Sequence, residues 1–355
     1  MAGSQAGALT NPAVSASGEV DSLLIEKFTG KVHEQYLKGE NLQAYFNMQE
    51  VTGTNMVSNK YIGETELQAM IAGQEAEGHE VEYDKNALVV DTSVIARNIV
   101  AQLHDVQSDI ESNKSKIAMN QTKQIKKLED EMIIQQCIFG AISNTEAVRT
   151  TPRVKGHGFS IKTVISDVQA DEANSILAAI ELSLEKQLEQ DVEINDVVLV
   201  MPWASFNALS DAERLVNKDY TLESGVTISG FVLKRWNLPV VPSNRFPKVA
   251  HTGSKHHLLS KSSNQYRYDV TTEMTNCVGI LFTADSLLMG RTIALQGDIF
   301  WDKKTKAFFV DSWFAEGAIP DRWEATSAVF KGGSENAAVK TRAVRKATQT
   351  QTVSA

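Results

Sequence analysis

The chain has 355 residues, of which 42% are hydrophobic, and it carries a formal net charge of −9. This apolar content supports a sizeable core in one large or two smaller domains, and it excludes an intrinsically disordered chain. The acidic balance argues against a protein that wraps nucleic acid, because phosphate binding needs clustered Lys and Arg. The two cysteines, Cys137 and Cys277, are far apart in sequence. They predict neither a disulfide framework nor a thiolate zinc site, and they suit a reducing cytoplasm.

The first twenty residues are rich in Ala, Gly and Ser and lack the basic start and apolar centre of a signal peptide. No segment approaches the ~20 apolar residues that a membrane-spanning helix needs. We therefore expect neither secretion nor membrane association. A first helix is predicted where Leu24, Phe28, Val32 and Tyr36 follow one another at every fourth position.

Two strand-like segments follow, around Asn55 to Ile62 and around Leu88 to Ile95, with polar sequence between them. We interpret them as a long two-stranded arm. Its distal part, Gly73 to Asp84, has few large apolar residues and cannot bury itself. It carries five acidic side chains: Glu75, Glu77, Glu80, Glu82 and Asp84.

The segment from Leu103 to about Ile142 contains no Pro and no Gly before Gly140, and its apolar residues follow three- and four-residue steps. It predicts one helix with a length on the order of 50 Å. Heptads are not sustained, so packing along one subunit is favoured over a dimeric coiled coil. Arm and rod together are so elongated that we expect sister molecules to complete them.

The centre of the chain predicts a mixed α+β architecture. An amphipathic helix is predicted from about Asp171 to Gln190, then a strand buried on both faces at Val197 to Met201, with Pro202 in the first turn of a further helix. Further strands are predicted at Val226 to Leu233, Pro239 to Val241, Val278 to Thr283, Arg291 to Trp301 and Lys306 to Phe314. The polar interval from Pro247 to Asn276 is expected to be an exposed loop or small insertion.

From Lys331 onward the chain is low in large apolar residues and basic, so we expect a mobile tail. The tail is interpreted as a solvated terminus, with phosphate contacts to nucleic acid as the alternative.

The chain offers only weak candidates for catalytic or metal chemistry. His256 and His257 are adjacent and have no third ligand at a suitable spacing, so no metal site is predicted. The stretch from Gly156 to Thr163 has Ile161 where a phosphate-binding loop needs glycine, and it predicts a turn that leads into a strand. Asp105 and Asp109 share a helical face that is most simply a solvated one. We predict no catalytic residues and no cofactor.

Five sequence segments and their order carry a resemblance to a known family. They are LLIEKFTGKVHEQY (Leu23 to Tyr36), the rod sequence from Asp109 to Gln136, VVLVMPWASFNAL (Val197 to Leu209) with GFVLKRWNLPVVPSN (Gly230 to Asn244), and DRWEATSAVF (Asp321 to Phe330). In this order they resemble the major capsid proteins of tailed phages, and most of all those of the short-tailed, T-seven-like phages. The last segment departs from the family pattern because Trp323 stands where Pro is expected.

The resemblance implies the α+β capsid fold named after the Hong Kong ninety-seven phage (HK97). The implied parts are an N-terminal arm (1–48), an extended loop or E-loop (49–100), a peripheral domain (101–165 and 278–330) with a spine helix (103–142), an axial domain (166–277) and a mobile C-terminal tail (331–355). The exposed tip of the extended loop supplies candidate inter-subunit contacts, namely Glu75, Glu77, His79, Glu80 and Tyr83.

The implied function is a major capsid protein, not an enzyme, that assembles with itself as hexamers and pentamers into an icosahedral head. The head would enclose double-stranded DNA without binding it specifically, and the particle would assemble in the cytoplasm of the bacterial host. The implied partners are a scaffolding protein during assembly and a portal protein, with a decoration protein left open. A separate scaffolding protein is expected because the chain begins without the large removable N-terminal domain of some relatives.

Some members of the fold lock their shell with an isopeptide bond from a lysine of the extended loop. Residues 62–84 contain no lysine here, while Lys60 and Lys85 lie at the base of the arm. A non-covalent shell is therefore predicted. The alternatives are a related, encapsulin-like compartment shell and a cytosolic enzyme.

Overall fold

The computed structural model describes residues 42–69, 78–102, 110–167, 172–221, 227–253 and 256–332, together with 336, 339–340 and 342–343. The helix predicted at Leu24 to Tyr36 and the pair Asp105 and Asp109 lie outside these residues. The described α-helices are α1 (Ile110–Ser143), α2 (Ala173–Leu188) and α3 (Trp203–Asp211). The described strands are β1 (Met48–Glu50), β2 (Met56–Ile62), β3 (Tyr83–Val89), β4 (Val94–Ala101), β5 (Ile161–Ile165), β6 (Val198–Met201), β7 (Leu215–Thr221), β8 (Thr227–Leu233), β9 (Leu238–Pro242), β10 (Cys277–Phe282), β11 (Leu287–Asp302), β12 (Ala307–Pro320) and β13 (Ser327–Lys331).

The long helix α1 packs against the two larger sheets of the described chain, one of four strands and one of seven. Ala118 and Ile125 lie in a cluster with Phe308 and Val310 of β12. Further along, residues on every side of the helix are buried, and they belong to the largest core cluster: Met132, Ile133, Ile134, Cys137, Ile138 and Ala141. The predicted single helix is confirmed. The expectation that sister molecules must complete the rod was wrong for this part, because the chain's own sheets cover it.

A four-stranded sheet, in the order β1-β11-β12-β4, is built around the antiparallel ladder of β11 and β12. β4 pairs with β12 from Ala101 to Val94. The strand predicted around Leu88 to Ile95 was therefore wrong, since β3 ends at Val89 and β4 belongs to a different sheet. Residues 90–93 between them belong to no strand, and the Asp91 carboxylate there accepts a hydrogen bond of 2.9 Å from the Thr92 hydroxyl.

A seven-stranded sheet has the order β5-β13-β10-β6-β9-β8-β7. Every residue of β6 and β10 is buried, as predicted for Val197 to Met201, and α2 covers one face of the sheet. Pro202 is the N-cap of α3 and not part of its first turn. The sheet joins strands from both sides of the domain boundaries suggested by the resemblance, so that division stays a prediction.

The interval from Pro247 to Asn276 was wrongly expected to be an exposed loop. Leu259, Tyr268, Val270 and Met274 are buried in the same core cluster as α1. Because these residues follow no helical or strand period, the sequence pattern did not reveal them. The backbone carbonyl of Tyr268 also accepts a hydrogen bond from the buried amide of Gln135 in α1.

The described part of the C-terminal tail is packed, contrary to the expected mobility. Val339 and Ala343 lie on one helical face and are buried in the cluster that contains α2. Asn336 Oδ1 accepts a hydrogen bond of 2.9 Å from the backbone N–H of Val164. Apolar contacts and this hydrogen bond together dock the described part of the tail on the body. None of the described helices combines the length and the apolar content that crossing a bilayer requires.

Two glycines opposite each other on β11 and β12 make a slot for one leucine. Gly290 pairs with Gly317 in the ladder, and Leu88 of β3 lies beside both. A Cβ atom on Gly290 would lie 3.1 Å from Leu88 Cδ2, and one on Gly317 would lie 3.2 Å from Leu88 Cδ1. Leu88 is 1% exposed, so the slot attaches the β2–β3 hairpin to the four-stranded sheet.

Glu316 of β12 is a buried carboxyl group near the point where the described chain begins. Its side chain is 3% exposed, and its nearest cation is Arg291, whose Nη1 lies 3.9 Å from Glu316 Oε1. Arg291 is shared with the exposed Glu50, at 3.2 Å. Burial raises the pKa of Glu316 to about 7, and Arg291 only partly opposes this.

Leu88→Ala should lower the free energy of unfolding by about 2–4 kcal/mol, because it leaves a cavity in the glycine slot. Urea unfolding of the unassembled protein, followed by circular dichroism, measures this. Leu67→Ala is the matched control, since it removes the same atoms from a leucine that is 96% exposed, and it should change stability by less than about 0.5 kcal/mol. Equal effects of the two changes would contradict the slot.

Glu316→Gln should remove a pH dependence of stability. The folded pKa of Glu316 lies above its ordinary value of 4.5, so the stability that this group contributes is complete below about pH 4.5 and is lost as the pH rises through about 7. The variant should match the parent at pH 4.5 and exceed it at pH 8, by at most about 3 kcal/mol. Thermal melts at both pH values test this, with Glu146→Gln, at an exposed carboxylate of the same residue type, as the control. A variant equally destabilised at both pH values would contradict it.

Candidate functional site: the extended hairpin and its anchor

The candidate site is the extended hairpin, which we define as β2, β3 and the residues between them. The two strands pair in register from Met56 opposite Val89 to Ile62 opposite Tyr83. At the base, Val57 and Leu88 pack on the four-stranded sheet. At the distal end the side chains of Ile62 and Tyr83 are 60% and 74% exposed. The hairpin is therefore fixed at one end and presents apolar surface at the other.

The carboxylate of Asp321, directly after β12, anchors the base of the hairpin. Asn59 Nδ2 donates to Asp321 Oδ2 at 2.8 Å, and Asn86 Nδ2 donates to Asp321 Oδ1 at 2.9 Å. The hydroxyl of Tyr61 donates to the same Oδ1. Burial raises the pKa of Tyr61, and the hydrogen bond to Asp321 adds to this, so the phenol stays a donor. Three donors from two strands thus converge on one buried carboxylate.

Arg153 sits between two aromatic rings beside this anchor. Its guanidinium carbon lies 4.5 Å from the ring centroid of Tyr61 and 4.5 Å from that of Trp323. Arg149 lies over the Trp323 ring as well, at 5.0 Å. The Trp323 ring therefore forms a platform that holds two arginines.

The turn around Gly156 holds the hairpin from the side. The Lys155 carbonyl accepts a hydrogen bond of 2.7 Å from Glu64 N–H, and Lys155 N–H donates to Glu82 Oε2 at 2.9 Å. Gly156 has φ +88, and a Cβ atom there would lie 2.5 Å from the Glu64 Cβ. The prediction of a turn leading into a strand is confirmed, since β5 begins at Ile161.

Some of the predicted contact residues lie within the described part of the chain, and others lie outside it. Glu75 and Glu77 lie outside the described residues. Glu80 is exposed, and His79 Nε2 lies 3.7 Å from Glu66 Oε2, which makes an ion pair when the imidazole is protonated. Sequence reasoning missed Leu67, which is 96% exposed. The signal that could have found it is a large apolar residue preceded by the polar stretch Glu64 to Glu66.

The histidine pair shows contacts within the chain. His256 Nδ1 lies 2.7 Å from Asp269 Oδ2 and its ring stacks on Tyr266. Burial lowers the pKa of His257, and the nearby His251 adds to this. Within the part of the chain that the structure describes, no group of three or more His, Cys, Asp or Glu side chains is arranged to hold a metal ion.

No protein-family model and no curated protein matches the sequence, whereas several solved structures share its fold. The mature capsid of bacteriophage PhiM1 aligns with a TM-score of 0.64 at 16% identity, over 84% of this chain and 89% of that chain. The capsid of Cyanophage P-SCSP1u gives 0.65 at 12% identity, over 82% and 87%. The capsid of a native GTA particle gives 0.51 at 11% identity, over 82% and 90%. At these identities the likeness establishes the fold alone, and the predicted α+β fold of the HK97 type is confirmed.

Asp321→Asn should loosen the hairpin, because an amide offers one acceptor oxygen and turns an N–H group toward the donors of Asn59, Tyr61 and Asn86. We expect a loss of about 2–3 kcal/mol and faster hydrogen exchange at β2 and β3 than at β10. Exchange mass spectrometry of the unassembled protein measures both. Asp211→Asn, at an exposed carboxylate that ends α3, is the control and should leave exchange unchanged. Uniform acceleration over all strands would argue against a local anchor.

Proposed function

We propose that this chain is the major capsid protein of a short-tailed, T-seven-like tailed phage. In this proposal it forms hexamers and pentamers that close into an icosahedral head around double-stranded DNA. The observation that carries the proposal is the HK97-type fold, shared with capsid chains over more than four-fifths of the sequence. Function does not follow from fold alone, so the surface of the chain must also suit self-association.

The extended hairpin supplies that surface. Ile62, Leu67 and Tyr83 are exposed by 60%, 96% and 74% on this one element, which the Asp321 carboxylate and the turn around Gly156 hold against the body. Apolar side chains grouped on a protruding element mark contact surfaces for partners. We infer that this end of the hairpin, together with Glu75, Glu77, His79 and Glu80, contacts a neighbouring subunit in the shell.

A second exposed apolar face lies on β4, the edge strand of the four-stranded sheet. Ile95 and Ile99 point to the same side and are 52% and 62% exposed. An edge strand also has unpaired backbone groups that a further chain can use. Many modest contacts of this kind close a lattice when each subunit repeats them.

The remaining parts of the proposal follow from the capsid role. The partners are a scaffolding protein during assembly, a portal protein and a decoration protein where the particle has one, and the mature location is the virion. An acidic chain suits a container for DNA, because a wall that bound phosphates strongly would hinder packing and release. Axial and peripheral roles are proposed for residues 166–277 and for 101–165 with 278–330. No catalytic step is part of the proposal.

The proposal predicts closed particles when the chain is expressed with its scaffolding protein. Negative-stain microscopy should show icosahedral heads, and a denaturing gel of these heads should show one band without a ladder of linked subunits. Leu67→Asp should block assembly and leave the melting temperature of the unassembled chain unchanged, because it adds charge to a contact without touching the core. Leu258→Asp changes a comparably exposed leucine of the body, 63% exposed, and should assemble.

Small discrete oligomers in place of particles would contradict the capsid proposal and favour an enzyme. Closed particles that enclose a protein cargo in place of DNA would favour the encapsulin-like shell. A ladder on the denaturing gel would contradict only the non-covalent shell.

A further inference from the structure

The chain between β9 and β10 concentrates positive charge. From Arg245 to Arg267 the sequence contains five Lys and Arg residues and no Asp or Glu. Because the whole chain carries −9, the remainder carries −14. Four of the five cations lie in the described part of the chain, namely Arg245, Lys248, Lys261 and Arg267. We define the basic segment as residues 245–253 and 256–267.

The basic segment is fixed to the body of the molecule. Phe246 and Leu259 are buried in the core cluster that contains α1, and so is Tyr268, the residue that follows the segment. The ring of His256 stacks on the ring of Tyr266, with centroids 4.1 Å apart and an angle of 15° between the planes. Cations on such an ordered surface lose less conformational freedom when they bind a partner than cations on a mobile tail do.

The described cations of the segment have few acidic partners. Among the residues that the structure describes, none of the four forms an ion pair within 4.0 Å of an Asp or Glu side chain. Lys248 Nζ donates instead to the neutral Asn244 Oδ1 at 2.9 Å. Lys248 and Lys261 are exposed, and Arg267 is half-buried. Their charges therefore remain available to a partner.

Two carboxylates border the segment and reduce its charge without cancelling it. Asp91 lies near Lys261, and it accepts a hydrogen bond from the Ser263 hydroxyl. Asp269 Oδ2 lies 2.7 Å from His256 Nδ1. These two negative groups stand against four described cations, so the surface keeps a net positive charge.

The residue types of the segment favour the phosphates of nucleic acid over single carboxylates. Residues 261–267 read Lys-Ser-Ser-Asn-Gln-Tyr-Arg, and all of these side chains are types that donate hydrogen bonds to phosphate oxygens in protein–DNA complexes. The cations are also spread along the segment. A polymer with a regular series of charges can meet several of them, whereas one carboxylate meets one.

A second group of lysines lies at the turn between β11 and β12 and suits such a partner less well. The exposed lysines of this turn are Lys303, Lys304 and Lys306. Asp302 belongs to the same turn, and Asp298 lies shortly before it in β11. The neighbouring Arg97 and Asp311 form an ion pair and add no net charge. Three lysines and two carboxylates leave a smaller positive charge than the basic segment has.

We propose that the basic segment contacts the phosphates of double-stranded DNA without regard to base sequence. The inference rests on the proposed capsid function, in which the head encloses DNA, and it names the surface of the subunit that touches this DNA. The contact is local, because the rest of the chain is acidic. Repeated in every subunit, many weak contacts would position the DNA and still let it move.

Binding of the unassembled chain to a short fluorescent duplex tests the inference. Anisotropy at physiological salt should give a dissociation constant of about 10⁻⁴–10⁻⁶ M, equal for two duplexes of unrelated sequence. The segment variant carries Lys248→Gln, Lys261→Gln and Arg267→Gln. It should bind about tenfold more weakly or worse, and the salt dependence of log K should lose about 2–3 from its slope, because each lost phosphate contact removes about one.

The turn variant is the matched control, and it carries Lys303→Gln, Lys304→Gln and Lys306→Gln. It removes the same number of positive charges from exposed positions outside the basic segment. Its affinity for DNA should change by less than about threefold, because salt screens charges that lie away from the contact. Melting curves of the two variants should match that of the parent.

Four outcomes decide the matter. Equal weakening by the two variants would show that binding follows total charge, which would overturn the inference. Equal affinity of the parent for polyglutamate with as many charges as the duplex would assign the surface to an acidic protein and overturn it as well. If the parent forms heads with the scaffolding protein but the unassembled chain does not bind DNA, the inference fails and the capsid function stands. If the chain binds DNA through the segment but forms no particles, the contact stands and the capsid function fails.

Discussion

The carboxylate of Asp321 is the interaction on which the extended hairpin depends. A two-stranded hairpin is marginal in water by itself, and this one is held on the body by the Asp321 anchor and by the turn at Lys155. Asn59, Tyr61 and Asn86 all donate to Asp321, and a buried carboxylate with several donors is a strong, directional contact. Leu88 in the slot of Gly290 and Gly317 adds an apolar contact beside it. Polar and apolar anchors together orient the hairpin before any partner is present.

The rest of the described chain buries its apolar residues in a core that it forms by itself. α1 is buried along its last three turns between two sheets, and the buried strands β6 and β10 cross the middle of the larger sheet. Gly140 permits the close approach of α1 to the anchor, because a Cβ atom there would lie 2.9 Å from Pro320. The body can therefore fold as a single chain. Exposed apolar side chains such as Leu67, Tyr83 and Ile99 are left on the hairpin and on an edge strand.

The sequence predicted a segment of this fold where its apolar residues follow a regular repeat or form a continuous run. The long helix and the strand at Val198–Met201 were predicted because uninterrupted apolar repeats and a continuous apolar run are local signals. The irregular segment that contains Leu259 and Tyr268 gives no such signal, yet both side chains are in the core. The break between β3 and β4 was missed because the residues between them, 90–93, include neither Gly nor Pro.

The candidate site likewise has one part that the sequence predicts and one part that it does not. The acidic, exposed character of the segment around Glu80 follows from composition, since few large apolar residues are available there to bury it. The anchor could not be predicted, because Tyr61 and Asp321 are 260 positions apart and only the fold brings them together. This chain is only 12–16% identical to capsid chains of the same fold. A fold determines which positions must be apolar and buried, and many different apolar residues can fill such a position. Trp323 illustrates the freedom that remains. Its ring packs against the guanidinium groups of Arg149 and Arg153 at the hairpin base, and these partners lie about 170 positions away in the chain, so no local sequence signal predicts the contact.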